Sequence, residues 1–177
     1  MKVLKLKRVL VTAVIVIIAY LLQCTVFPHL ELAGIKPNLL IIVTAAFGFM
    51  RGSREGMIVG VACGLLMDIQ FGDIIGLYAL IYLVAGYVNG LFERLYFDDD
   101  IKLPILLIGV SEFLYGVIIY FLMFLLRSDF DFLFYLNKII IPELIYTIGI
   151  TLILYPLILF INHKLEAEEK RSASKFV

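Results

Sequence analysis

Cysteine, histidine and charge are scarce in this 177-residue chain: two cysteines, two histidines, and charge on only 17% of its residues. Each scarcity closes off a class of function. Cys24 and Cys63 both fall in apolar runs, so they read as small buried hydrophobes rather than a disulfide framework. His29 and His163 stand at the ends of apolar runs that fall on opposite sides of a membrane, so they cannot form a shared site. With no Cys/His cluster at metal-ligand spacing, no metal and no cofactor are expected. Ser111 has no nearby histidine or lysine to activate it, and its hydroxyl is expected to bond its own helix. Asp68 has no second aspartate well inside an apolar run, as an intramembrane aspartyl protease would need. An enzyme is therefore not expected, and with a formal net charge of zero neither is a nucleic-acid partner.

What is abundant is apolar surface. Hydrophobic residues make up 63% of the chain, and the mean hydropathy is +1.05, well outside the balance of a soluble domain. The chain reads as an all-α integral membrane protein forming one transmembrane domain. The start, MKVLKLKR followed by an apolar run, has the outline of a signal peptide. No small-x-small site follows, and Leu21-Leu22-Gln23-Cys24 lacks the small residue of a lipoprotein signal, so the run is expected to stay as a span.

Six spans are predicted, over residues 9–27, 39–50, 56–71, 74–95, 104–126 and 138–162, with a short polar tail over 163–177. A spanning helix takes about 20 residues, so the second span is short and must tilt, thin the bilayer or draw on its flanks. Residues 51–55 and Gly72-Asp73 make turns, and the acidic triplet Asp98-Asp99-Asp100 lies in the most polar internal loop. The alternation DFDFLFY after Ser128 suits an interfacial segment with its rings at headgroup level. Pro142 and Pro156 are both expected to bend the last span.

Gly56, Gly60 and Gly64 recur every fourth residue and Asp68 continues the series, so one face of the third span has almost no side chains. In lipid, helices associate through close packing, and small residues at this spacing mark a contact. Gly86 and Gly90 on the fourth span offer a matching bare face, so the contact is either internal packing or the docking of a partner helix. Three acids fall inside spans: Asp68, Glu112 and Glu143. Such acids are costly in a bilayer and are functional candidates by default. Asp68 and Glu143 lie near one outer level, within reach of the headgroups or of Lys138 and Arg127. Glu112 has no obvious route to water and no lysine or arginine in its own span, so it is expected to be protonated or paired within the bundle.

With six spans and both ends cytoplasmic, twelve of the fifteen basic residues lie inside, and only Lys36, Arg127 and Lys138 lie outside. A five-span arrangement would put the two basic ends on opposite sides.

The order Leu22-Gln23, Val26-Phe27-Pro28, Pro37-Asn38, Arg51-Gly52, Gly56, Gly60, Gly64-Leu65-Leu66, Asp68, Gly76-Leu77-Tyr78-Ala79-Leu80 and Gly86-Tyr87 resembles the rod shape-determining protein MreD family. The match covers about the first half of the chain, and Asn38 stands where the family often has an aspartate. The resemblance implies a non-enzymatic scaffold in the bacterial inner membrane, with MreC as partner and with the actin-like MreB and the peptidoglycan synthases nearby. It also implies a six-helix fold similar to the substrate-binding subunits of energy-coupling-factor transporters. Two functions thus stand side by side: a scaffold of the cell-elongation machinery, and a substrate-binding subunit for a small, vitamin-type molecule. Transporter subunits of that kind usually present small residues four apart on the first span. Here Ala13 and Ala19 are six apart, which favours the scaffold. The oligomeric state is not set by anything in the sequence.

Overall fold

In a bilayer an apolar run can satisfy its backbone only by bonding within itself as a helix, and the regular elements among the described residues are all helical. The computed structural model describes residues 2–31, 34–71, 75–95, 101–127 and 131–173. The expected turn at Gly72-Asp73, the triplet Asp98-Asp99-Asp100 and the end of the tail lie outside them.

Helix α1 (Lys2–Leu21) continues through a π turn (Leu22–Val26) and a 3-10 turn (Phe27–His29). Next come α2 (Leu39–Arg51), α3 (Ser53–Phe71), α4 (Leu77–Leu91) and a 3-10 turn (Glu93–Leu95). The chain continues as α5 (Lys102–Arg127), a short α6 (Phe132–Tyr135), a second π turn (Leu136–Ile140) and α7 (Ile141–Ala173). Among the described residues three stretches are long and apolar enough to cross a membrane: Leu6–His29, Lys102–Leu122 and Phe132–Glu169. The helices α2 and α4 are apolar but shorter. Helix α3 carries Arg54, Glu55 and Asp68 among its 19 residues and is less apolar than its neighbours.

Both π turns stand in the same relation to a proline. One ends at Val26, two residues before Pro28, and the other at Ile140, two residues before Pro142. A proline ring collides with the carbonyl four residues back and removes a helical N–H; the wider π turn opens the helix where that collision falls. Pro156, inside α7, has no such turn before it.

The core is built around α2. Every residue from 39 to 50 is buried, so this helix has no lipid face, and the others pack on all its sides. At 13 residues it is about 20 Å long, short of the roughly 30 Å hydrocarbon core, so it lies wholly inside the bundle. Asn38 opens it, its Oδ1 accepting from Ile41 N at 3.2 Å. Gly52 ends it at a φ of 85°, where an L side chain would be strained.

The tail is helical further than the sequence implies, because α7 runs on to Ala173. Ion pairs hold this extension to the start of the chain: Lys7 with Glu168 at 2.5 Å, and Arg8 with Glu169 at 3.5 Å. Arg51, almost fully buried, donates from Nε to Asn162 Oδ1 at 2.6 Å and lies 3.6 Å from Glu169.

Candidate functional site

The bare face of α3 lies against α4. A Cβ added at Gly56 would strike the carbonyl of Gly86, one at Gly60 the carbonyl of Tyr82, and one at Gly64 the backbone of Ala79. The relation is mutual, since Gly86 abuts Gly56 and Gly90 abuts Ser53. Antiparallel helices explain the register: each step up α3 matches a step down α4, so two backbones meet with no side chain between them. Gly48 of α2 joins the seam, its missing Cβ falling 2.6 Å from the Gly86 carbonyl. Its position in an unbroken apolar run gave no sign of this.

Asp68, at the end of the stripe, forms no ion pair among the described residues. It is 2% exposed. Its carboxylate accepts from Gly76 N at 3.0 Å, Tyr78 N at 2.9 Å and Ala79 N at 3.1 Å. These amides are among the orphan donors at the start of α4, and a negative charge there is also favoured by the helix dipole. Gly76, at a φ of 101°, turns the chain into that position. The acid therefore ties the end of α3 to the start of α4 and closes the seam.

A second polar set surrounds the start of α2. Asn38 Oδ1 also accepts from Tyr82 Oη at 2.7 Å, and Asn38 N donates to Thr147 Oγ1 at 3.1 Å. Thr147 in turn donates to Glu112 Oε1 at 3.4 Å. Gln23, turned inward by the first π turn, accepts from Leu40 N at 3.1 Å. The bonds from Asn38 through Tyr82, Thr147 and Glu112 join α2, α4, α7 and α5, and Gln23 ties the π turn after α1 to the same end of α2. Glu112 is 2% exposed, and its partners here are neutral. Glu143 stands in the first turn of α7, one turn before Thr147, and is partly buried. Among the described residues no ion pair is formed by Asp68, Glu112 or Glu143. The side chain of Arg127, a candidate partner of the outer acids, lies outside the described residues.

Other candidate groups are placed plainly. Ser111 does not bond its own helix; its Oγ accepts from Asn89 Nδ2 of α4 at 2.6 Å, because Asn89 is buried and turned across toward α5. Cys24 and Cys63 are both free thiols. His29 closes the extension of α1, whereas His163 follows the Asn162 that holds Arg51 at the opposite end. Among the described residues no three His, Cys, Asp or Glu side chains could hold a metal ion. Asn38, Tyr82 and Thr147 were not foreseen as a site. An asparagine directly before an apolar run was the one available signal.

Long apolar helices packed through a glycine seam and a buried hydrogen-bond network are those of a helical membrane protein. The family model of the rod shape-determining protein MreD matches residues 4–164. The chain belongs to the MreD family, whose members are membrane proteins with a role in determining rod shape. No curated protein and no solved structure matches it.

Proposed function

We propose that the chain is a non-enzymatic scaffold of the cell-elongation machinery, holding MreC in the inner membrane and helping to organise peptidoglycan synthesis. MreB and the peptidoglycan synthases then act with it directly or through MreC. Six membrane crossings with both termini cytoplasmic fit the distribution of basic residues, α2 being the short crossing and α3 the one with a charged start. The observation that carries the reading is the family match over residues 4–164. The glycine seam agrees with it: with that face consumed by α4, partner contacts fall to the outward faces of α1, α5 and α7. Affinity purification of the detergent-solubilised protein from its own cells tests the proposal. Recovery of MreC is expected; recovery of an ATPase module without MreC would favour the uptake-subunit reading.

A further inference from the structure

A groove of about 410 Å³ runs between α1 and α3 on the outside of the bundle. Val16 and Val59 form its buried floor, and Val9, Ile17 and Ile58 stand up as exposed walls. Ala13 and Ala62 line it with side chains too small to fill it. One end is marked by the Arg8–Glu55 ion pair, and the groove reaches Leu66.

Its length identifies what it accommodates. From Glu55 to Leu66 the rise along α3 is about 16 Å, and from Arg8 to Ile17 along α1 about 14 Å. Both are close to half of the roughly 30 Å hydrocarbon core, which is the depth of one leaflet. A spanning partner helix would make contact over the whole core, about 30 Å. The groove covers only about half of that length, which matches a single acyl chain. The mouth carries Arg8 and Glu55, which pair with each other, and Arg8 also pairs with Glu169 of α7. A purely anionic headgroup would face the Glu55 carboxylate there as well as Arg8. One that carries both a phosphate and an ammonium meets an opposite charge at each end.

We infer that the α1–α3 groove binds one acyl chain of a phosphatidylethanolamine-type lipid, with its phosphate toward Arg8 and its ammonium toward Glu55, drawn from the leaflet on the side of the chain termini. The lipid fills the gap that Ala13 and Ala62 leave and joins α1 to the body of the bundle.

Native mass spectrometry of the full chain in detergent tests this, with phosphatidylethanolamine and phosphatidylglycerol of identical acyl chains as the probes. One phosphatidylethanolamine should be retained in preference. Ala13→Leu and Ala62→Leu, both at exposed positions, should each retain it about tenfold less well while unfolding at the parental temperature. Equal retention of the two lipids, or unchanged retention in both variants, overturns the inference. So does a variant that keeps its lipid but no longer co-purifies a single-span partner, which would make the groove a helix seat. The unaltered chain gives a separate check in vesicles containing phosphatidylethanolamine with a photoactivatable acyl chain. Labelling should concentrate on residues 9–17 and 58–66; labelling spread evenly onto α5 and α7 would contradict it.

Discussion

Removing the Asp68 carboxylate would strand three backbone amides at once, those of Gly76, Tyr78 and Ala79, in a place where the acid itself is 2% exposed. Hydrogen bonds to a charged group are each worth about 1.5–3 kcal/mol, and an unmet buried donor costs about 1–3 kcal/mol. Asp68→Ala should therefore lose at least about 3 kcal/mol, read as a lower unfolding temperature in detergent. Asp68→Asn keeps one acceptor oxygen and should lose about half as much. An unchanged unfolding temperature for Asp68→Ala would mean that α4 does not depend on this cap. Glu112 makes a different demand, because its partner is the Thr147 hydroxyl rather than an amide cluster or a cation. Glu112→Gln preserves an acceptor of the same length, whereas Glu112→Leu strands Thr147. The glutamine variant should fold and bind partner close to the parent, and the leucine variant should be about 1–3 kcal/mol less stable. Equal damage from both would show that a charge at Glu112 is required.

Between elements, the decisive contact is α3 on α4. Leucine at Gly60 must push the Tyr82 carbonyl away and separate two backbones, and overpacking of this kind costs about 3 kcal/mol or more. Gly149 of α7 is the internal control, since a Cβ there meets nothing within 4 Å. Gly60→Leu should abolish or strongly reduce folded protein, while Gly149→Leu should stay within about 0.5 kcal/mol of the parent in detergent unfolding. A stable Gly60→Leu variant would place the stripe against lipid. The helices themselves were legible in the sequence, because lipid forces an apolar run into a helix and charged or proline-bearing stretches interrupt it. The bare face of α3 was legible too, since a four-residue spacing survives in one dimension. Its occupant was legible only as two alternatives, Gly86 and Gly90 of α4 or a partner helix, because the choice depends on where α4 is folded. Asp68 misled for a similar reason: its partners lie 8, 10 and 11 residues on, across a turn. The Asn38 network and the terminal ion pairs were further out of reach, with partners 109 residues away at Thr147 and 161 away between Lys7 and Glu168.

At the scale of the whole molecule, a buried central helix and an internally closed seam leave apolar residues exposed on the outward faces of α1, α5 and α7. The terminal ion pairs hold the α7 extension beside the start of α1, at one end of the bundle. A reporter fused after Val177 should be active only in the cytoplasm; activity confined to the outside would reverse the orientation. A scaffold acts by being folded and bound, not by chemistry at a single group. The most direct test is therefore to replace the cell's own copy with Glu112→Gln and to measure cell shape and MreC recovery per folded molecule together. Rod shape and parental MreC recovery are predicted. Round cells with the variant fully folded and MreC still bound would contradict the account, because a chemical role for the buried acid would then be required.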